Sequence, residues 1–469
     1  MSVMVGEQAD SNCAEVIIVG AGITGLGAAY HVGARGIPYL VLEAADDLGG
    51  IWRTHRWHGA RCDSDIIHYS FRFKPLLSER RLLGAAQIQR YLRSVAGEFG
   101  ILERVRFATR VQRAVFDPQA SLWRVHTNRG AFQARFLING NGYFEDLHRP
   151  AFRESDRFRG EIVHAFELDG GRTFAGKDVV LVGSGATAIS CAPELARVSR
   201  SLVLLQRSPS YIYEMSDRSG PLARACQQLY RAGFEFPVHA LRYALQLRDD
   251  LVFVGFRAFP GLARWLFRRH WVAVVGQQSF ERDFRPRYDP WEQRVCVAVG
   301  LKEALRQRRI AIRTGQIDRF TESAIVLDSG EPIPCDVCVL ATGFELNFLK
   351  FELYVGAEKI SLAGRNFYKG VMMGGVPNYF QPVGVWHSAW TGRSEAATRF
   401  ALRIIDYMKE KGLSTVRVDR RDVLSRPRIT PNYVMRSVSR LPRLYGTYEL
   451  PTLDNLCSYR FRPAEFRFA

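Results

Sequence analysis

The first clear pattern of apolar and polar positions lies near the beginning of the chain. Four β-branched residues at 16–19 form a short apolar run, which is typical of a parallel strand covered on both faces. A glycine-rich turn at 20–25 follows, and helix-forming residues continue over 26–31. A second apolar run at 39–42 ends in Glu43. This order of strand, glycines, helix, strand and acid predicts the first half of a Rossmann-type unit.

The glycines of this turn have the spacing G-x-G-x-x-G. Gly20 permits a tight turn, Gly22 lets the backbone approach a pyrophosphate, and Gly25 lets the helix pack closely on the strand. A phosphate would lie at the helix N-terminus, where free N–H groups point towards it. Glu43 lies about twenty residues after the glycines, where a carboxylate that binds a ribose belongs. We predict a dinucleotide site; the alternative is a glycine-rich turn of any α/β protein.

A second unit with the same order of elements begins with an apolar strand at 177–182. The turn after it has the pattern G-x-G-x-x-A and contributes four small residues: Gly183, Gly185, Thr187 and Ala188. The next strand, 201–205, is followed by the basic Arg207 and not by an acid. A basic residue there fits a 2′-phosphate and favours NADP over NAD, the alternative being a solvated surface charge. We expect FAD at the first unit and NADP(H) at the second.

Segments between the two units offer contacts for a flat ring system. Gly50 belongs to a glycine pair that lets the chain turn tightly, and Trp52 can cover one face of the ring. Asp63 is either a functional carboxylate or the polar residue of an Asx turn, and in isolation the turn is favoured.

A basic stretch rich in aromatic residues, 211–280, is predicted to be a helical insert. We expect its aromatic side chains to pack inward. The alternatives are a cover over the active site and an amphipathic segment that lies at an interface. Contact with a membrane surface is therefore compatible with the sequence but is not favoured.

Composition limits the classes of function. The chain has 469 residues, a length that is enough for two or three domains. Its hydrophobic content is 47%. Its net charge of +18 fits acidic cofactors, anionic substrates or a membrane surface equally well. No zinc-finger spacing, RNP-type aromatic strand or basic tail is present, so nucleic acid is not a predicted partner. The sequence predicts no particular oligomeric state.

The eight cysteines have no framework spacing, which is typical of reduced thiols. Cys335 and Cys338 form a C-x-x-C in a predicted strand, and residues three apart in a strand point to opposite faces, so we interpret them as packing residues. We expect a cytoplasmic protein with no signal peptide and no membrane-spanning helix.

These patterns predict an α/β fold with two Rossmann-like dinucleotide-binding domains, the second inserted in the first. The FAD-binding domain is expected to comprise 1–149 and 336–469. The NADP-binding domain is expected to comprise 150–335 and to carry the helical insert 211–280.

Several further segments recur together in one family: 49–52, 59–63, 205–209, 288–294, 340–344, 368–370 and 389–391. With the two glycine turns they resemble the class B flavoprotein monooxygenases, which include the Baeyer–Villiger monooxygenases. The chain is most similar to the branch of the ethionamide-activating monooxygenase, over about 16–448. The family fingerprint is F-x-G-x-x-x-H-x-x-x-W, followed by Pro or Asp. Four of its positions match here, Phe158, Gly160, His164 and Asp169, and the tryptophan position is Leu168.

The fingerprint residues carry specific implications. The resemblance places His164 with the cofactor-binding residues and implies that it helps to coordinate movement between the domains. Leu168 stands where the family has tryptophan. This replacement weakens the match to Baeyer–Villiger chemistry more than the match to flavin monooxygenation in general.

The resemblance implies an NADPH-consuming, FAD-dependent monooxygenase that acts through a C4a-peroxyflavin. Arg294 is implied as the permanent cation beside that intermediate, with Asp63 as its carboxylate partner; an arginine suits because it stays protonated. The anion would insert oxygen into a ketone, and the protonated form would transfer oxygen to nitrogen or sulfur. The implied partners are a small-molecule organic substrate and O₂. We expect the insert 211–280 and the segment near Trp390 to line the pocket.

Two other functions remain open at this point. One is an NADPH oxidase or reductase that releases peroxide. The other is a flavin-binding protein that has lost catalysis and acts through contacts with partners. The presence of Arg294, Asp63 and both glycine turns argues against the second.

Overall fold

The computed structural model describes residues 12–169, 171–290, 292–293, 295–383, 389–419, 432–444 and 461–469. Its strands, in chain order, are β1 (Cys13–Val19), β2 (Tyr39–Leu42), β3 (Val105–Arg106), β4 (Val111–Asp117), β5 (Leu122–Thr127), β6 (Gly130–Asn139), β7 (Phe144–Leu147), β8 (Glu161–His164), β9 (Phe174–Val182), β10 (Ser199–Gln206), β11 (Ile212–Glu214), β12 (Cys296–Ala298), β13 (Ala311–Thr314), β14 (Ile317–Phe320), β15 (Ala324–Leu327), β16 (Pro332–Pro334), β17 (Val337–Leu340), β18 (Phe344–Leu346), β19 (Glu352–Val355), β20 (Glu358–Lys359), β21 (Asn366–Tyr368), β22 (Met372–Met373), β23 (Tyr379–Phe380), β24 (Val416–Arg417), β25 (Arg443–Leu444) and β26 (Arg467–Phe468). Its α-helices are α1 (Ile23–Gly33), α2 (Ile51–Thr54), α3 (Ile66–Tyr69), α4 (Ala85–Glu98), α5 (Ala186–Val198), α6 (Pro221–Arg231), α7 (Phe236–Ala258), α8 (Pro260–Val275), α9 (Gln277–Ser279), α10 (Leu301–Arg306), α11 (Trp390–Lys411) and α12 (Asn432–Ser437).

A twelve-stranded sheet contains β1, the strand that leads into the first glycine turn. Its main path runs β20-β19-β4-β5-β6-β23-β22-β21-β25, and β1 pairs in parallel with β2 and β6. Val16, Ile17 and Ile18 of β1 are fully buried, because this strand is covered on both faces. Side chains of α1, α4 and α11 form the core on one face of the sheet. The chain leaves this sheet after β6 and returns to it at β19.

A second, five-stranded sheet forms between these two passages, with the order β13-β10-β9-β17-β8 and every pairing parallel. The two crossings between the sheets, β7 and β18, pair with each other antiparallel. The predicted α/β fold, with one nucleotide unit inserted in the other, is therefore confirmed.

One boundary differs from the sequence prediction. The strand β17 pairs with β8 and β9 of the second sheet, with Val337 opposite Val179 and Glu161. A division between 335 and 336 would cut this strand from its partners. The second sheet therefore extends to Leu340, beyond the end expected for the NADP-binding unit.

The insert also begins later than expected. Residues 212–214 form β11, which pairs in parallel with β12, and the first helix of the insert, α6, begins at Pro221. The expectation that the aromatic side chains pack inward is correct for Phe253 and Trp271, which are buried. It is wrong for Phe259 and Trp265, which are 65% and 51% exposed.

The two cysteines of the C-x-x-C pattern are packing residues, as predicted. Cys335 and Cys338 are both buried in a core that includes β9, β10 and β17. Burial raises the pKa of the Cys335 thiol to about 12, and it raises the pKa of Cys338 as well. Both side chains are therefore protonated at neutral pH and chemically inert.

A search of the described helices for a candidate membrane span found none that is both long and apolar enough.

Candidate active site

A cavity of about 1210 Å³ lies where the carboxyl ends of strands from both sheets meet. It is lined at the first sheet by the ends of β1 and β6, and at the second sheet by the ends of β9, β10 and β17. Ligands of open parallel sheets bind at this edge. The cavity is larger than the roughly 300–1,000 Å³ typical of a site for one small molecule, so there is room for an extended ligand or for two.

The first glycine turn is packed too tightly to accept side chains. Gly20 has φ +93°, and a Cβ atom there would lie 2.9 Å from the carbonyl oxygen of Gly140. A Cβ atom on Gly25 would lie 1.8 Å from the carbonyl oxygen of Gly20. Gly22 is the N-cap of α1 and lines the cavity, as Gly20 does, whereas Gly25 lies outside the lining. The three positions thus have the geometry expected of a turn, a close approach and a packing contact.

Glu43 connects the end of β2 to this turn. Its side chain is buried, and its two oxygens accept hydrogen bonds from the N–H of Ala21 at 2.6 Å and of Ala45 at 2.8 Å. A carboxylate has about four acceptor positions, so these two bonds leave capacity for ligand hydroxyl groups. Because Glu43 also lines the cavity, its chemistry fits the ribose contact that was predicted for it.

A second loop lies directly on the first turn. Gly50 has φ +54°, and a Cβ atom there would lie 3.0 Å from the Cα of Gly22. Trp52 follows on α2, is buried, and donates from its indole N–H to the Tyr69 hydroxyl at 2.6 Å. Gly50, Trp52 and Tyr69 all line the cavity.

The second glycine turn repeats this design at the second sheet. Gly183 has φ +142°, and a Cβ atom there would lie 2.6 Å from the carbonyl oxygen of Ala341. Gly185 is the N-cap of α5, and the space around its missing side chain is open to 4 Å. Thr187 lines the cavity, whereas Ala188 is fully buried and does not.

Two arginines lie beside the second turn. Arg207 follows β10, is exposed, and lines the cavity. Arg436 of α12 also lines it and donates from Nη2 to the carbonyl oxygens of Thr342 at 3.2 Å and Phe344 at 3.1 Å. Burial lowers the pKa of Arg436; Glu345 opposes this change and the positive charge of Arg207 adds to it. Sequence analysis missed Arg436, because no motif connects it to a turn 250 residues earlier.

Asp63 lies in the cavity lining and is half-buried. The carboxylate that caps the following helix, α3, is that of Asp65, which accepts from the N–H of Ile67 at 3.1 Å. The functional role of Asp63 stays a prediction. Arg294 lies outside the described residues, and the adjacent Gln293 lines the cavity.

His164 lies away from the cavity lining. It is fully buried at the end of β8, a strand at the edge of the second sheet, and is outside the cavity lining. Its Nδ1 accepts from the N–H of Phe166 at 3.4 Å. Burial lowers its pKa to about 4, and Arg149 contributes, so the ring is neutral at pH 7. The assignment of His164 to the cofactor-binding residues stays a prediction. Leu168 is buried in the core of the second sheet.

A neutral histidine lines the cavity where the sequence gave no signal. His55 is buried, with ring centroids 4.6 Å from Trp57 and 4.5 Å from Phe166, and it stacks on Phe344 at 5.8 Å. Burial lowers its pKa to about 3. These rings come from three separate parts of the chain, which is why no local pattern predicts the cluster.

The expected pocket walls are half correct. Trp390 lines the cavity, and its indole N–H donates to the Thr24 hydroxyl at 2.9 Å. The helices α6, α7 and α8 of the insert contribute nothing to the lining. Among the described residues, no cluster of three or more His, Cys, Asp or Glu side chains could hold a metal ion.

Comparisons with known proteins agree with this architecture. Residues 17–233 match the family model of the pyridine nucleotide-disulphide oxidoreductases. The FAD-containing monooxygenase EthA of Mycobacterium tuberculosis is 32% identical over 451 residues, which cover 92% of this chain and 91% of that protein. An oxidized steroid monooxygenase bound to NADP is 25% identical, with a TM-score of 0.75 and coverage of 97% of this chain and 99% of the other. An open structure of cyclohexanone monooxygenase has the same fold, with 19% identity, a TM-score of 0.76 and coverage of 97% and 99%.

The fold and the cavity between two glycine turns are those of a flavoprotein with two dinucleotide-binding units, and the similarity to EthA over 92% of the chain identifies a flavin-dependent monooxygenase. On the strength of the similarity over nearly the whole chain, the protein belongs to the FAD-containing monooxygenases, the family that includes EthA.

Proposed function

We propose that this flavin-dependent monooxygenase binds FAD at the first glycine turn and NADPH at the second, and inserts one atom of O₂ into a small-molecule ketone. The observation that carries the proposal is the single cavity that joins both turns at the carboxyl ends of both sheets. Two extended cofactors that meet in one cavity can exchange electrons without release of an intermediate.

The residues at the first turn suit FAD. The N-terminus of α1 behind Gly22 offers backbone N–H groups to a pyrophosphate, and Glu43 retains acceptors for ribose hydroxyls. Trp52 and the loop at Gly50 form a buried wall at which a flat ring can pack. When bound, reduced FAD activates dioxygen for transfer to the substrate, and NADPH supplies the electrons.

The residues at the second turn suit NADPH. Gly185 leaves open space at the N-terminus of α5, and Arg207 and Arg436 place two positive charges beside it. A phosphate attracts guanidinium groups more strongly than a hydroxyl does, so this pair favours the 2′-phosphate of NADPH over the ribose of NADH.

Part of the cavity lining is aromatic and is suited to exclude water. Trp390 lies 4.9 Å from the Tyr143 ring, and His55 is enclosed by aromatic rings and stays neutral. Such apolar surroundings strengthen the field of any charge placed in them. By family resemblance that charge is Arg294, with Asp63 in the lining as its carboxylate partner.

Oxygen insertion into a ketone is supported by the resemblance to the Baeyer–Villiger enzymes. Transfer to nitrogen or sulfur is the alternative, because Leu168 in place of the fingerprint tryptophan weakens the match to Baeyer–Villiger chemistry. The same cavity serves both reactions, because only the protonation of the oxidising species differs between them.

A product analysis tests the choice of reaction. The FAD-loaded enzyme is given NADPH and matched pairs of a ketone and a thioether with the same carbon skeleton, and products are identified by mass spectrometry. We expect esters or lactones from the ketones. Sulfoxides without any ester would overturn the ketone assignment and leave the monooxygenase assignment standing.

A variant series belongs to the same experiment. We expect Arg294→Ala to retain FAD and to lose substrate oxygenation. The matched control is Arg285→Ala, nine residues earlier, where the arginine is exposed and pairs with Glu281 at 2.8 Å. Oxygenation by Arg294→Ala at the parent rate would remove the assignment of this residue.

A further inference from the structure

The helical insert concentrates the exposed apolar surface of the molecule. Seventeen large apolar side chains are exposed among the described residues, and thirteen of them lie between positions 221 and 275, so their distribution is far from random. These thirteen are Leu222, Leu229, Phe234, Phe236, Tyr243, Leu247, Leu251, Val252, Val254, Phe259, Leu262, Trp265 and Leu266. We call the surface that they form the insert face. Single exposed apolar residues are normal, but a concentration of this size marks an interaction site.

The apolar residues of the insert face follow the helical repeat. On α7, the exposed side chains of Tyr243, Leu247, Leu251 and Val254 are three or four residues apart, which places them on one side of the helix. On α8, Leu262, Trp265 and Leu266 have the same spacing. Phe236 is 79% exposed at the first turn of α7. An amphipathic helix normally turns such a stripe to the protein core, and here the stripe faces outward.

The opposite sides of these helices are already occupied by the protein. Arg242 of α7 is buried and donates to the Ser70 hydroxyl at 2.9 Å and to the Phe71 carbonyl at 3.1 Å. Trp271 of α8 is fully buried and donates to the Ile212 carbonyl at 3.0 Å. The insert is therefore held against the body of the molecule with its apolar stripe outside, and none of its helices lines the active-site cavity.

The insert face is also basic. Residues 221–275 contain eight arginines and three acidic residues, a net charge of +5. Two of the arginines lie over aromatic rings of the same helices: Arg257 over Phe253 at 5.5 Å and Arg269 over Trp265 at 5.4 Å. The contact at the exposed Trp265 keeps one guanidinium group beside the apolar side chains of the insert face, where it can reach anionic groups of a partner.

We propose that the insert face docks the enzyme on an anionic lipid surface. Aromatic and leucine side chains enter the boundary between headgroups and acyl chains, and arginines at the same depth bind lipid phosphates. A second copy of this chain is a poorer partner, because a two-fold interface would bring the arginines of one insert against those of the other. No described helix could span a bilayer, so the docking is peripheral. The proposal does not depend on which substrate atom the enzyme oxygenates.

A flotation assay with the full-length, FAD-loaded enzyme tests this proposal. The probes are vesicles of phosphatidylcholine alone and vesicles that also contain phosphatidylglycerol. We expect the enzyme to float with the anionic vesicles about tenfold more strongly than with the neutral ones, and high salt to weaken this binding. Equal binding to both, or binding to neither, would overturn the proposal.

Variants locate the binding surface. We expect the triple variant Phe236→Ser, Leu251→Ser and Trp265→Ser to lose at least about tenfold of its affinity for anionic vesicles, because three apolar anchors are removed. The matched control is Leu102→Ser, a 40% exposed leucine far from the insert in sequence, which should bind as the parent does. Both variants should retain FAD absorbance and parental NADPH oxidation without vesicles, since none of these residues lines the cavity.

Analytical ultracentrifugation of the same proteins separates docking on lipid from self-association. The proposal predicts that the parent and the triple variant sediment alike in the absence of vesicles. If the parent forms a dimer that the triple variant cannot form, and triple-variant vesicle binding equals that of the parent, the insert face is an interface between copies and the lipid proposal is wrong.

Discussion

At the scale of single residues, Glu43 shows how one side chain can serve both the fold and the site. Its two oxygens hold the N–H groups of Ala21 and Ala45, one in the glycine turn and one beyond β2. The carboxylate is thereby fixed in the cavity wall with acceptors to spare. Both carboxylate oxygens are needed, because each accepts one hydrogen bond from the backbone.

We therefore expect Glu43→Gln to weaken FAD binding by about tenfold or more, and to lower the free energy of unfolding by about 1–3 kcal/mol, since the amide leaves one buried N–H group without its acceptor. Fluorescence titration of the apoprotein with FAD and chemical unfolding measure the two effects. Asp46→Asn is the control, because the Asp46 side chain is 78% exposed and lies outside the cavity lining. Parental FAD affinity in Glu43→Gln would show that this carboxylate does not contact the cofactor.

Sequence predicted the residues of the glycine turns well because their constraints are local. Gly20 and Gly183 have positive φ, and Gly25 meets the backbone of its own turn, so spacing alone identifies them. The aromatic cluster around His55 could not be found in this way. Its neutral state arises from rings that only the folded chain brings together.

At the scale of elements, α12 is the clearest addition of the structure to the site. This helix has six residues and follows α11 in the chain. Its Arg436 side chain lines the same cavity as the second glycine turn. The hydrogen bonds from Arg436 to the carbonyls of Thr342 and Phe344 fasten α12 to the segment between β17 and β18. The C-terminal part of the chain therefore contributes to the lining of the cavity.

We expect Arg207→Gln to raise the KM for NADPH by about tenfold or more and to change the KM for NADH little, because a charge-assisted bond to the 2′-phosphate is lost. Arg436→Gln should raise the KM for NADPH by a smaller factor and also change the KM for NADH little, since its guanidinium also binds carbonyl groups. Steady-state kinetics with both coenzymes measures this.

The matched control for these variants is Arg440→Gln. Arg440 follows α12, is 69% exposed and pairs with Glu345 at 3.1 Å, and it does not line the cavity. It should leave both KM values unchanged. Equal changes for NADPH and NADH in Arg207→Gln would remove the argument for a 2′-phosphate contact.

Two element boundaries were wrong for a physical reason. The apolar run at 337–340 can enter either sheet, and only its non-local pairing with β8 and β9 decides between them. The strand β11 has three residues, too few to establish a period of two before the basic helices begin. Such assignments depend on partners that are distant in sequence.

At the scale of the whole molecule, the fold explains why the two glycine turns open into one cavity. Each sheet is parallel around its glycine turn, so each presents its binding edge at the carboxyl ends of its strands. Insertion of the second sheet between β6 and β19 brings these edges to one cavity. The sequence predicted both units and their nesting, whereas the cavity and the outward insert face required the folded chain.

The central claim is that reduced flavin and NADPH act in this one cavity to place an atom of O₂ in a substrate. The most direct test is single-turnover oxygenation by the FAD-loaded enzyme with NADPH, ¹⁸O₂ and a ketone that it converts. The account predicts one ¹⁸O atom in each product molecule and one NADPH consumed for each product formed. Product oxygen that comes from water, or NADPH oxidation that yields only hydrogen peroxide with every substrate tried, would contradict it.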